Sequence, residues 1–396
     1  MRMKKQVALL LATSMLIGAT SLAVSAASAG SVSVFDTGDY KLYDNDNEPL
    51  TDNNGITYVI EKVGRDGSIL LDNIAPNQTF YIPLGIDLVS DIQTELNNGG
   101  TATASQLVDD GLFKMSVDKS GNGKSLIKSI TQVSEKNVGD GRGSYLRVEL
   151  NNSTTTEELK AQADITFKAK KTVNASTNSK DYDGVNSWTS GEKAELRLTM
   201  WINNKGISGT DGDAELGEGI YFDPESNDTN TLIWGDDRAA LAFESDDDAG
   251  KFYAKLSTKS HSEIYELYAD PVDADLWFYD FVGNPTIPST SRATLTLGIP
   301  WDDDDDYAPD PTACYIYRLE SDGSITDVTD LFTYSDDNDA TGIEGWSIKT
   351  RTLGTYMVSD TELELDDYAD DEEESSSNET EADNTDTSKK NPGTGR

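Results

Sequence analysis

A chain of 396 residues with 72 acidic and 32 basic side chains carries a net charge of −40 at neutral pH. Such a charge repels nucleic acid and anionic lipid and argues against both as partners. One cysteine excludes an intrachain disulfide, and one histidine allows at most a single centre that depends on imidazole.

The first residues read as an export signal. Arg2, Lys4 and Lys5 precede Val7–Val24, an uncharged and mostly apolar run, and Ala27-Ser28-Ala29 has the small-x-small form of a cleavage site. Residues 1–29 are therefore expected to be a signal peptide. Its removal takes three basic residues and no acidic one, so the mature net charge is −43. No other segment is apolar enough to span a bilayer, and no transmembrane span is expected in the chain.

Strand patterns dominate the rest of the chain. Leu146, Val148 and Leu150 share one side of YLRVEL, and Ile165 and Phe167 alternate with polar residues in DITFKA. In AELRLTMWI the alternation sets Leu196, Leu198, Met200 and Ile202 against Glu195, Arg197, Thr199 and Trp201. ATLTLGIPW repeats it with Leu295, Leu297 and Ile299. Turn clusters such as DNNG at 52–55 and ESDG at 320–323 supply residues suited to positive φ. Helical periodicity is scarce, with short helices expected at Asp87–Leu96 and Ser105–Phe113.

The expected fold is mainly β, with β-sandwich-like modules in tandem and a disordered acidic C-terminal tail. The modules are placed at 30–155, 156–282 and 292–362. The Thr-rich stretch at 151–158 and the Pro/Ser stretch GNPTIPSTS at 283–291 serve as joints. Residues 363–396 have too little apolar surface to fold, and 13 carboxylates between Glu362 and Asp386 make that run a self-repelling spacer.

Signatures of catalysis are thin. His261 lies in STKSHSEIY and reads as a solvated loop residue, and Cys314 reads as a buried apolar cysteine. Calcium fits the composition better, because hard cations collect carboxylate oxygens. Asp302, Asp303, Asp304, Asp305 and Asp306 form the densest run, between Trp301 and Tyr307. Further groups are Asp246–Asp248, Asp44 with Asp46 and Glu48, and Asp211 with Asp213 and Glu215. The last resembles the start of an EF-hand loop, but Leu216 and Phe222 stand where that loop needs Gly and Glu. Each group also fits a solvated loop. Crowded carboxylates are expected to hold protons tightly, so stability should rise as pH falls.

In DLWFYDF, Trp277, Tyr279 and Phe281 alternate with Leu276 and Phe278. Trp277 and Tyr279 are thus candidate glycan-stacking residues. A strand apolar on both sides also describes a central strand between two layers.

Residues 293–360 resemble a β-module found near the C-terminus of bacterial surface proteins. The resemblance rests on Pro300 ending a strand, the pair Tyr317-Arg318, the turn Asp322-Gly323, and Gly354 with Tyr356 at the last corner. Related modules carry a histidine before that corner. Here Thr352-Leu353 stands there, so no role of that histidine carries over.

The pentapeptide Asn391-Pro392-Gly393-Thr394-Gly395 resembles the sorting motif of sortase substrates, Leu-Pro-x-Thr-Gly, with Asn in place of Leu. The resemblance implies attack by a sortase cysteine on the Thr394 carbonyl, release of Gly395 and transfer to an amine of peptidoglycan. The family pattern continues into an apolar span and a basic tail, so either the sequence stops short at Arg396 or the pentapeptide is a chance match. A sortase-type transpeptidase and peptidoglycan are the implied partners, and the implied source is a Gram-positive bacterium.

Together these features predict an exported, wall-attached surface protein with a structural or adhesive, non-enzymatic role and a glycan or a cell-surface ligand as its target. A carbohydrate-binding protein is the alternative, and a secreted hydrolase the third reading.

Overall fold

Every second residue of Lys193–Ile202 is buried, from Ala194 through Leu196, Leu198 and Met200 to Ile202, while the residues between them point outward. This period of two is what a sheet with one wet face demands, and it recurs in Leu159–Ala169, whereas Ala293–Gly298 is buried on both faces. The computed structural model describes residues 40–60, 68–86, 93–139, 141–174, 187–301 and 307–365. The molecule is mainly β, as its alternation predicts.

The chain forms two compact units. The first comprises residues up to 153 together with 158–203, and the second comprises 154–157 and the chain from 204 onward.

In the first unit one antiparallel sheet orders Tyr43–Asp44, Thr79–Ile86, Gly141–Leu150 and Ile127–Val138. A second sheet orders Ser68–Ile74, Lys193–Ile202, Leu159–Ala169 and Phe113–Ser120, its first pair being parallel. Ile82, Leu146 and Val148 from one meet Ile165, Phe167, Leu198 and Met200 from the other in a single core. Burial of each such side chain contributes roughly 1.5–3 kcal/mol. One short helix, Ala104–Leu107, starts in a capping box between Thr103 and Gln106. It is shorter than the expected Ser105–Phe113, and Phe113 already begins a strand. Gln93–Glu95 is strand rather than helix, and the rest of Asp87–Leu96 lies partly outside the described residues.

In the second unit a six-stranded sheet orders Asp211–Ala214, Thr229–Trp234, Ala239–Glu244, Ala293–Gly298, Gly345–Thr350 and Thr333–Ser335. A five-stranded antiparallel sheet orders Leu256–Ser257, Leu276–Phe281, Thr355–Ser359, Tyr315–Leu319 and Ile325–Asp327. Leu241, Leu295 and Leu297 of the first meet Tyr279, Phe281, Ile316 and Val358 of the second. The reverse side of the five-stranded sheet has its own core. There Leu276, Phe278, Tyr317 and Met357 pack against Ile264 and Ala269 of the short helical segment and against Leu363.

Three expected boundaries need correction. Residues 159–202 supply the two central strands of a first-unit sheet, so the boundary at 155 cuts through a core rather than between modules. The stretch GNPTIPSTS is not a free joint. Ile287 is buried in the second-unit core, its amide bonds Arg351 O at 2.9 Å, and Ser289 bridges to Ser245. The folded part also continues past 362, because Leu363 is buried and Leu365 packs beside it. Among the described residues no helix is long and apolar enough to cross a membrane.

Candidate functional site

The outer side of the six-stranded sheet carries small and polar residues where the inner side carries Leu241, Leu295 and Leu297. Cross-strand pairing sets Ala242 beside Thr294 and Thr294 beside Lys349, and the next row runs Ala240, Thr296, Ser347 and Thr333. The segment 336–344 folds back over this surface. Asn338 shapes it, its side-chain oxygen accepting from the amides of Ala340 and Thr341 at 3.0 and 3.2 Å, and its carbonyl accepting from Gly342 at 2.7 Å. Gly342 takes φ +71°, which a glycine adopts without steric cost.

The fold-over buries a hydroxyl network. Thr296 Oγ1 lies 2.8 Å from both Thr341 Oγ1 and Ser347 Oγ, and Asn338 Nδ2 donates to Ser347 Oγ at 2.9 Å. Thr296 is 0 % exposed, so its hydroxyl depends on these partners. Beside the network lies an open groove of about 620 Å³ lined by Arg292, Thr294, Thr333, Ser335, Asp337 and Lys349, among others. Lys349 Nζ donates to Thr294 Oγ1 across the floor. The lining offers hydroxyls, an amide, two cations and two carboxylates, and neither His261 nor Cys314 belongs to it. Such a surface can hydrogen-bond a polar ligand.

The aromatic strand is placed differently from a stacking platform. Tyr279 is 0 % exposed, and its hydroxyl donates to Gly298 O. The Arg238 guanidinium sits 5.0 Å from its ring centre while Nη1 donates to Pro300 O at 2.9 Å. Burial pushes the Tyr279 phenol up. Tyr279 is therefore corrected to a core residue, since no ligand ring can reach its face. Trp277 is half-buried, its ring 4.8 Å from Trp301, which in turn lies 6.0 Å from Trp346. Trp277 thus packs on the rim of the core. On the opposite side of the strand His261 stacks on Phe278 with ring centres 5.2 Å apart and planes at 21°. The histidine is a packed side chain, not a freely solvated one.

The run Asp302–Asp306 lies outside the described residues, as does the sorting-like motif Asn391–Gly395. The remaining acidic groups serve turns and strands. Asp44 Oδ1 accepts from the amides of Asp46 and Glu48, both at 2.9 Å, and Asp211 and Asp213 stand exposed on one strand. Among the described residues no three His, Cys, Asp or Glu side chains gather closely enough to hold a metal. Cys314 is buried, and burial, aided by Asp360 and Asp310, pushes its thiol up to about 11, away from the nucleophilic thiolate. Thr312 holds the Asp310 carboxyl below its ordinary range through side-chain and backbone hydrogen bonds, and Ser324 does the same for Asp322. These two shifts run opposite to the direction expected from crowding, whereas burial and the neighbouring Asp72 push the Glu158 carboxyl up.

No local pattern singles out the groove residues. The alternation of ATLTLG does put Thr294 and Thr296 opposite Leu295 and Leu297, but nothing nearby in the chain ties them to Asn338, Thr341 or Lys349. Comparison of the chain with protein-family models and with curated proteins finds no match to either.

Proposed function

We propose that this chain is an exported, wall-attached surface protein of a Gram-positive bacterium whose role is adhesive rather than enzymatic. The observation that carries the adhesive role is the groove beside the buried Thr296 network, a polar surface preformed on a rigid sheet. Preformed hydroxyl and amide groups bind without the entropic cost of ordering. Export and attachment rest on the sequence alone, on the charged and apolar leader and on the Asn391–Gly395 pentapeptide behind an acidic run.

Attachment is tested by expressing the complete gene in its host, digesting the wall and mapping the product's C-terminus by mass spectrometry. A wall fragment joined to Thr394 is expected, and any other terminus removes the anchoring step and its sortase partner.

A carbohydrate-binding protein is the second reading, favoured by the same hydroxyl-lined groove. Titration of neutral glycans against residues 30–396 and against Lys349→Gln checks it. Loss of binding in the variant supports the groove, and binding that survives the substitution excludes it.

A further inference from the structure

In a chain this acidic, one basic row stands out on the first unit. Lys168 pairs directly with Lys193 on one neighbouring strand and with Lys114 on the other, all three on the outer face of the sheet that includes Ser68–Ile74. Like charges directly opposite on a sheet repel. Among the described residues none of the three ammonium groups has an ion-pair partner, although other pairs form nearby, such as Arg197 with Asp164 at 2.6 Å. The whole outer face holds Lys114, Lys160, Lys168, Lys193 and Arg197 against Asp72, Asp118, Asp164 and Glu195. Five cations to four carboxylates reverses the balance of 32 to 72 in the chain.

The same face carries Trp201. Trp188, Trp234 and Trp346 are buried, and Trp277 and Trp301 pack against a core, whereas Trp201 belongs to none of the apolar clusters. Its ring is half-exposed with Lys160 Nζ 5.4 Å from the centre, and Leu70 on the adjacent strand is 63 % exposed. From the Lys168 row to the Lys160–Trp201 pair is eight residues, about 27 Å along the strands. A face of that length with a cationic end and an aromatic end suits a polymer and not a small molecule.

We propose that this outer face binds an acidic polysaccharide, with Lys114, Lys168 and Lys193 taking sugar carboxylates and the Trp201 ring stacking on a sugar. The binding surface is separate from the groove of the second unit and stands without it. The lysine row supplies charge complementarity to an acidic polymer. Trp201 supplies the ring face that a pyranose covers with its C–H side, which a bare polyanion does not need. At about 0.15 M salt the Debye length is near 8 Å, so the distant negative charge of the chain is screened while contacts at the row are kept.

The test uses residues 30–396 and polygalacturonate at 0.15 M salt, with dextran, poly-L-glutamate and duplex DNA as controls. Polygalacturonate is expected to bind and the three controls to bind at least tenfold more weakly. The triple variant Lys114→Gln, Lys168→Gln, Lys193→Gln is expected to lose at least tenfold, while its melting temperature stays at or above the parent's because repulsion is relieved. Trp201→Thr, which suits an outward strand position, is expected to weaken polygalacturonate and leave the residual poly-L-glutamate binding unchanged. The proposal is overturned by absent polygalacturonate binding, by binding that survives the lysine variant, or by poly-L-glutamate or DNA binding equally well. Equal loss of both polyanions in Trp201→Thr overturns the stacking role.

Discussion

Leu363 donates its backbone amide to the Tyr317 hydroxyl at 2.8 Å. Both residues are buried, and the contact straps the chain beyond the last strand across the outer core of the five-stranded sheet. Leu363→Ala is expected to lower the stability of the second unit by about 2–5 kcal/mol, the range for a buried leucine. Tyr317→Phe leaves that amide without its partner and should cost about 1–3 kcal/mol. Urea unfolding followed at the second unit's transition measures both. A change below half a kcal/mol in either would show the strap to be decorative.

The hydroxyl network under the groove makes a sharper demand. Thr296→Val keeps the shape but removes the shared partner of Thr341 and Ser347. We expect a loss of about 1–3 kcal/mol. Thr294→Val, on the same strand but losing one contact to the exposed Lys349, should cost less. Thermal melts of the two variants should therefore rank Thr296→Val as the less stable, and the opposite order would contradict the network.

Alkaline pH should weaken the fold. Burial holds the Tyr317 phenol up to about 12, and hydrogen bonds to Glu344 and Asp360 hold Tyr334 and Tyr307 up to about 12. An unfolded phenol titrates near 10. Between those values the native state binds more protons, so stability is full below about pH 10 and falls as pH rises through about 12. Absorbance of phenolate at 295 nm should accordingly lag behind that of free tyrosine until unfolding begins. On the acid side the lowered carboxyls of Asp310 and Asp322 contribute above their unfolded pKa near 3.9 and lose that contribution as pH falls below it. Thr312→Val should flatten that acid limb.

Relief of the lysine row has a thermodynamic reading of its own. Lys168→Gln removes the middle charge of three and is expected to stabilise the first unit by about 0.2–1 kcal/mol. High salt should shrink the gain, since screening already does part of the same work. A loss of stability that is independent of salt would mean that the three ammonium groups do not repel.

Millimolar calcium is expected to raise the melting temperature above that in sodium chloride of matched ionic strength, through Asp302–Asp306, and Asn at those positions should abolish the difference. Equal melting in calcium, chelator and matched salt would rule out calcium binding at this run.

What the sequence disclosed was direction, residue by residue. Leu146, Val148, Leu196, Leu198, Leu295 and Leu297 are all buried where alternation pointed them, and Trp201 faces outward with Glu195 and Arg197. What it withheld was pairing. Ser68–Ile74 lies parallel to Lys193–Ile202, more than a hundred residues away, and no local pattern encodes that choice. The same blindness split one core at 155 and turned Ile287, a core plug inside a Pro/Ser stretch, into part of a joint. Tyr279 shows the limit of composition, because an aromatic strand reads alike whether its rings meet a ligand or another sheet. The groove was illegible for a related reason. It is assembled from three separated segments, around 292–296, 333–341 and 347–349, and only their register brings the hydroxyls together.

The strand Thr355–Ser359 is bonded on both sides, to Leu276–Phe281 and to Tyr315–Leu319. Tension applied along the chain beyond Leu365 therefore reaches the fold through Leu363 and then through a strand held by two ladders. Pulled along its own axis, that strand must shear both ladders together, since neither can be peeled one bond at a time as at a sheet edge. Force entering from that side would thus meet the Leu363 contact and then two ladders in shear.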